Sequence, residues 1–407
     1  MEIRPILSAL SRNRTGALLI ATQVALTLAI ISNAASVIRD RLALSERPSG
    51  VTDEASLLTA RPILNARTDL AALIRADLAG LAALPGVRAV TVTNQLPMGR
   101  SGWSLTFSAG REESAVSTNA SYTFDGGGLL ETLGLRLIEG RRFEAAEVRE
   151  LDPEQSAEPP REALVTAALA RHLFRDEGPW VGRVFYSGNG PQAGELRIVG
   201  VVERLTTPWG LAGEEDAYTV IVPQRFLNSY NYYVMRVEPG AEAAVRTAID
   251  EVLTRNEPDR VNTGIYSVQE LRERRYRNEK SVAWLLVSVT VFLLLVTASG
   301  IVGMASLWVN LRRKQIGVRR ALGATRADIL RYFLTENLLI TSGGVLAGVL
   351  AARLLNQLLV RELSVPALPW DFLAVGVACL FVLGLAAALG PALRASRLSP
   401  ALATRSV

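Results

Sequence analysis

Apolar positions along this chain follow two patterns. In four stretches they run on nearly without interruption: Thr15–Ile38, Ser281–Asn310, Glu336–Val360 and Phe372–Leu393. Residues 281–309 contain no Asp, Glu, Lys or Arg. A run of about 20 apolar residues, rising 1.5 Å per residue as a helix, crosses the roughly 30 Å hydrocarbon layer of a bilayer. The pattern therefore predicts four membrane-spanning helices, at 15–38, 281–310, 336–360 and 372–393. The first exceeds the apolar core of a cleavable leader and reads as an uncleaved anchor. It carries Gln23, Thr27, Ser32 and Asn33, which are expected to face other helices rather than lipid. Gly343, Gly344, Ala347 and Gly348 in the third span mark helix-packing faces, as do Gly384, Ala386, Ala387 and Ala388 in the fourth.

Between the first two spans, over 39–280, the periodicity changes. Leu70, Leu73, Ile74, Leu78 and Leu81 recur at helical spacing within Asp69–Leu84, and Pro85-Gly86 ends that helix. Ala55–Ala60 before it and Val87–Thr93 after it read as strands. The order repeats as strand Tyr232–Val237, helix Ala241–Thr254 and strand Asn262–Ser267, which suggests an internal pseudo-repeat of strand–helix–strand units. Further strands are predicted at Trp103–Ala109, Asn119–Phe124, Leu196–Val202 and Ala217–Val222, with a turn at Gly126-Gly127-Gly128. Residues 144–162 and 186–194 read as exposed loops. The middle, about 97–228, reads as an inserted subdomain. Residues 271–280 are charged and helical and lead without a break into the second span. The fold class expected is thus an α-helical membrane protein with four spans plus a mixed α/β domain outside the cytoplasm.

Charge sets the orientation. The segment 1–14 holds three arginines and one acid. Residues 311–336 hold Arg312, Arg313, Lys314, Arg319, Arg320, Arg326 and Arg331 against Asp328 and Glu336. The tail 394–407 holds three arginines and no acid, and these three pieces together carry about +10, whereas the whole chain carries +5. The connection 361–371, taken with nearby Arg353, is balanced, so 39–280 is net acidic. Positive charge concentrates on the cytoplasmic side, which puts both termini and 311–335 inside and 39–280 outside. The net positive charge is consequently a topology signal and no indication of nucleic-acid binding. Arg353 lies within the third span and is expected to snorkel to the outer headgroups.

Catalytic chemistry is missing from the sequence. The only lysines are Lys280 and Lys314, neither within G-x-x-x-x-G-K-[ST], so these 407 residues hold no P-loop. His172 is the only histidine and Cys379 the only cysteine, which excludes a His-based triad, a zinc site of the usual kind and an internal disulfide. His172 reads as a surface residue of a helix. No catalytic, cofactor or metal residues are assigned, and the chain is expected to be non-enzymatic.

The informative stretch is Arg312–Glu336, RRKQIGVRRALGATRADILRYFLTE. Gly323 interrupts a basic helix, and Thr325-Arg326-Ala327-Asp328 reads as the cap and first turn of the next. Ile316, Arg320 and Gly323 fall on one predicted face. This stretch resembles the pattern R-x-x-E-I-G-I-R-R-A-L-G-A-x-x-x-D-I-L of the MacB/FtsX-type ABC permeases, grouped at times with the lipoprotein-release permeases. The ending GPALRASRLSPALA (390–403) is similar to that family's, as are FDGGGLLETLGLRLIEGRRF (124–143), ALVTAALARHLF (163–174), GRVF (182–185) and RIVGVVERL (197–205). Gln315 stands where the family pattern has Glu, and the first span lacks the family's L-G-I-x-x-G.

The resemblance implies a permease subunit of an efflux system at the inner membrane. Its ectodomain would consist of MacB-like porter-type α/β units with the inserted subdomain. It would pair with a second permease copy or paralogue and be driven by an ABC ATPase subunit that binds the ATP and Mg. Gln315, Ile316, Gly317, Val318, Arg319, Arg320, Ala321, Leu322 and Gly323 would form the helix that docks on that ATPase. ATP-driven motion would pass up stalk helices to the periplasmic domain, a mechanotransmission, with a periplasmic adaptor and outer-membrane channel as further partners besides membrane lipid. Lipoprotein release on the same fold, or a membrane scaffold or sensor that regulates envelope enzymes, are the alternatives.

Overall fold

The computed structural model describes residues 14–64, 69–152, 159–363 and 366–398. The expected cytoplasmic segment before residue 14 and the tail beyond 398 lie outside the described residues, as do 153–158 of the expected acidic loop and 364–365 of the short outer connection. The chain divides into two compact units, Met1–Ser45 with Asn278–Val407, and Glu46–Arg277.

The described residues start with helix α1 (Arg14–Glu46). A short 3-10 turn at Glu54–Ser56 precedes β1 (Leu57–Ile63), followed by α2 (Leu70–Ala82) and β2 (Val87–Thr93). Then come β3 (Ser104–Ser108), β4 (Ser117–Phe124), α3 (Leu129–Leu133), β5 (Leu137–Gly140), β6 (Arg149–Leu151), β7 (Glu162–Thr166) and α4 (Ala167–Phe174). Strands β8 (Val184–Ser187), β9 (Gly194–Val202), β10 (Thr219–Val222), β11 (Gln224–Phe226) and β12 (Tyr232–Val237) follow, then α5 (Glu242–Asn256) and β13 (Val261–Ser267). Four helices complete the described residues: α6 (Val268–Leu311), α7 (Arg313–Ala321), α8 (Arg326–Leu363) and α9 (Trp370–Ser396).

In the α/β unit one sheet has the order β13-β1-β12-β2, with every neighbour antiparallel. The two strand–helix–strand units seen in the sequence are present, but each flanks a strand of the other. Counted among these four strands the order is fourth-first-third-second, the split βαβ arrangement of ferredoxin-like folds. Asp69 caps α2 by accepting the Ala72 amide at 3.0 Å. The predicted strand at Ala55–Ala60 starts later and runs further. Its pairing with β13 shifts between Ala60 and Pro62, because a proline has no N–H to give the ladder. Beneath the helices, Ile74, Leu81, Tyr233, Met235, Val245 and Ile249 are buried together. Asp77 and Arg260, both fully buried, join in a two-pronged ion pair of 2.9 and 3.1 Å. The Tyr233 hydroxyl and the Asn256 amide each donate to the same carboxylate at 2.8 Å.

The inserted part is a second sheet, β5-β9-β7-β10-β4-β3-β8, in which β8 also pairs with β9. The strands from β9 round to β8 therefore close on themselves, leaving no free edge in that ring. Phe107, Phe124, Phe185, Val165, Val220 and Leu196 fill it. Asn94 and Gln95, just past β2, attach ring to sheet. The Asn94 amide donates to the Tyr122 carbonyl at 2.9 Å, its oxygen accepts the Phe124 amide, and the Gln95 amide donates to the Ser121 and Thr123 hydroxyls. His172 is exposed on α4, and its Nδ1 lies 3.0 Å from the Tyr218 hydroxyl.

In the helical unit, α1, α6, α8 and α9 are each long and apolar enough to cross a membrane. The expectation for the polar residues of the first span is met by three of the four, while Gln23 is half-buried. Thr27, Ser32 and Asn33 are buried, Thr27 and Thr297 share a 2.8 Å hydroxyl contact, and the Asn33 amide donates to the Ala352 carbonyl at 3.1 Å. Of the small residues, Gly344, Gly348, Gly384 and Ala388 face inward while Gly343, Ala347 and Ala386 face out. A methyl group on Gly344 would stand 2.7 Å from the Ala21 carbonyl oxygen. Arg353 donates to the Leu368 carbonyl at 2.8 Å, and its guanidinium stacks 3.6 Å from the centre of the Trp370 ring.

Candidate functional site

The basic stretch between α6 and α8 folds as the sequence suggests, and local chemistry explains it. Helix α7 ends at Ala321, and just past its cap Leu322 stands Gly323, whose φ of +100° suits glycine. The Ala324 amide donates to the Arg319 carbonyl and the Gly323 amide to the Arg320 carbonyl, the paired bonds of a Schellman termination. Thr325 then opens α8. Its hydroxyl accepts the Asp328 amide at 3.2 Å, and the Asp328 carboxylate accepts the Thr325 amide at 2.9 Å. This reciprocal cap makes Gly323–Thr325 a defined corner.

The nine residues Gln315–Gly323 do not share a single face. Ile316 and Gly317 are buried, Ile316 packing with Val309, Ile329, Phe333, Ala392 and Ala395. Arg320 is half-buried with its Nε enclosed and unpaired, so Ile316, Arg320 and Gly323 are not the common face the spacing suggests. Gln315, Val318, Arg319, Ala321, Leu322 and Gly323 are exposed. Val318 is 52% exposed and Leu322 83%, an apolar pair one helical turn apart on an otherwise basic surface. The Arg319 guanidinium lies 5.0 Å from the Tyr332 ring centre.

One element of the site was not legible in the sequence. Arg312, at the junction of α6 and α7, donates through one nitrogen to both oxygens of Glu336 at 2.9 and 2.8 Å. The Glu336 side chain is 1% exposed and the Arg312 side chain 12%. The pair ties the start of α7 to α8, 24 residues away. The available signal was an acid standing alone where the third apolar run begins; nothing in the spacing named its partner.

In the α/β unit, α6 begins with a charged segment that grips its surroundings. Arg272 pairs with Glu54 at 2.6 Å, and Arg275 donates to the Trp209 carbonyl at 2.9 Å. Arg47 donates to the carbonyls of Leu211, Ala212 and Gly213. Asp216 is enclosed in the same loop, and burial pushes its carboxyl above the usual range, partly countered by the Leu211 amide, the Thr207 hydroxyl and Arg204. Helix α6 runs unbroken for 44 residues, from this gripped segment to the corner at Arg312.

Residues 20–252 match the MacB-like periplasmic core domain, and residues 287–400 match the FtsX-like permease C-terminal domain. The chain is 30% identical over 343 residues to the macrolide export ATP-binding/permease protein MacB of Agrobacterium fabrum, an alignment covering 81% of this chain and 48% of that protein. The pyoverdine export ATP-binding/permease protein PvdT of Pseudomonas savastanoi pv. phaseolicola is 27% identical over 66% of this chain and 40% of its own length. The chain thus spans about half the length of the curated relatives it matches. The extracellular domain of the ABC-type transporter YknZ from Gram-positive bacteria aligns at 14% identity and a TM-score of 0.33, over 51% of this chain and 98% of that domain. Four apolar helices together with these two domains make this an inner-membrane protein with a periplasmic domain. The chain belongs to the MacB/FtsX family of ABC transporter permeases.

Proposed function

We propose that this chain is the transmembrane subunit of an ATP-driven efflux system and that α7 is the surface on which an ABC ATPase from another chain docks. The observation that carries the reading is the exposed pair Val318 and Leu322, ringed by Arg313, Lys314 and Arg319 on a helix held from behind by Ile316 and the Arg312–Glu336 bond. An apolar centre with a charged rim is the anatomy of a protein interface. The termini and α7 would face the cytoplasm, a reading supported by the arginine distribution. Closure of the ATPase would then move α7. That motion would pass along α6, a single helix of 44 residues, to the segment that grips the loop around Trp209. The working unit would hold a second permease copy or paralogue, with an adaptor and outer-membrane channel beyond it. ATP and Mg would be bound by the ATPase. Lipoprotein release by the same mechanics is the second reading, since nothing in α7 depends on the cargo.

The test is reconstitution with the cognate ATPase. Val318→Glu and Leu322→Glu should each lower permease-stimulated ATP hydrolysis at least about tenfold, the equivalent of losing one interface anchor worth 1.4 kcal/mol or more. Membrane insertion and detergent-extracted stability should stay unchanged. Full stimulation in either variant removes α7 from the interface.

A further inference from the structure

The α/β unit has a polar cleft of about 350 Å³ between strands β3–β4 and the loop 207–217, within the size range of small-molecule sites. Ser104, Thr118 and Asn119 line it with two hydroxyls and one amide, Thr207 and Trp209 border it from the loop, the latter with an aromatic ring, and Glu215 is its one charged lining residue. We infer that this cleft binds a small hydroxylated ligand, neutral or singly cationic, of the amino-sugar type.

The chemistry of the walls sets that class. Neutral hydroxyls and an amide can both give and accept hydrogen bonds, as a ring bearing several hydroxyls demands. The indole offers an extended apolar face for the C–H side of such a ring. No Arg, Lys or His lines the cleft, and Glu215 repels an anion while attracting an ammonium group.

The wall carrying Trp209 is also pre-formed. The Thr207 amide donates to the Asp216 carbonyl at 2.7 Å, and the Leu211 amide and Thr207 hydroxyl donate to the Asp216 carboxylate at 2.7 and 3.2 Å. On its other side, Arg275 and Arg47 hold the carbonyls of the same loop, from Trp209 to Gly213. A wall fixed before binding spares the ligand the cost of ordering it. Because Arg275 belongs to α6, a shift of that helix moves the wall with Trp209. This last step rests on the permease reading; the binding site itself does not.

The full-length protein labelled with 5-fluorotryptophan tests the site without any ATPase, so a negative result leaves the permease reading untouched. The chain has six tryptophans, and Trp209→Phe identifies the Trp209 signal in the fluorine spectrum. Glucosamine, glucose and glucuronate present one ring with three charges. Glucosamine should move the Trp209 signal at the lowest concentration, glucose at a higher one, and glucuronate not at all. Glu215→Gln should weaken glucosamine by about two- to fivefold, the scale of an exposed charge pair, and bring it level with glucose. A Trp209 signal that none of the three sugars moves overturns the assignment, and so does glucuronate binding as well as glucosamine.

Discussion

Among the described residues, each unit of this protein has a buried carboxylate hydrogen-bonded to an arginine, Asp77 with Arg260 in one and Glu336 with Arg312 in the other, and these two pairs are built differently. In the α/β unit, Asp77 meets Arg260 with two parallel bonds, and Tyr233 and Asn256 occupy what capacity the carboxylate has left. Both side chains are wholly enclosed. In the helical unit, Glu336 is equally enclosed but is met by one nitrogen of Arg312, whose side chain keeps an edge in contact with the outside. A buried charge is tolerated only when its hydrogen bonds are made. The first pair is saturated and rigid, locking α2 and α5 onto one sheet. The second sits at the corner between α6 and α7, with one partner able to turn away. The difference teaches that a saturated pair fixes an architecture, while an unsaturated pair at a helix corner permits a joint.

The largest effect that can break this contrast is expected from Asp77→Ala. It leaves Arg260 enclosed without a counter-charge, which should cost about 3–5 kcal/mol and appear as an early unfolding step of the α/β unit in thermal denaturation. The paired change Asp77→Leu with Arg260→Met should recover most of that loss. A single change costing under about 1 kcal/mol would mean that water reaches the site.

Glu336→Ala should cost less, about 2–3 kcal/mol, because Arg312 can swing toward solvent. Its distinguishing outcome is a loss of ATPase stimulation out of proportion to the change in melting temperature. Equal losses of stability in the two alanine variants would erase the distinction drawn here. Within the helical unit, Gly344→Ala presses a methyl group onto the Ala21 carbonyl and should cost about 1–2 kcal/mol. Gly343→Ala, with nothing within 4 Å, should be silent in the same melting assay. Thr27→Val should give the smallest measurable loss, about 0.6 kcal/mol, since it removes one hydroxyl contact with Thr297.

Much of this architecture could be read from the residues. The four apolar runs are visible because lipid imposes a length and a composition that few other environments demand. The corner at Gly323–Thr325 is visible because a positive φ and a helix cap each select particular residue types. The inward placement of Thr27, Ser32 and Asn33 follows from the cost of leaving them in hydrocarbon. Two features of the candidate site were not visible. Spacing within nine residues did not separate the outward Val318 and Leu322 from the inward Ile316 and Gly317, because α7 contains both apolar and basic residues on each side. The Arg312–Glu336 bond was hidden because the partners stand on different helices.

The sequence by itself determined which segments are long and apolar enough to span a membrane, where the helices stop, and which strand–helix–strand units exist. Each of these is set by neighbours along the chain or by the solvent the segment must satisfy. Only the tertiary structure decided that the two units interleave as fourth-first-third-second, that β8 meets β9 to close a ring, and that Asp77 faces Arg260. Such choices depend on which distant surfaces bury each other's apolar area and complete each other's hydrogen bonds, and one chain's order of residues does not state those pairings.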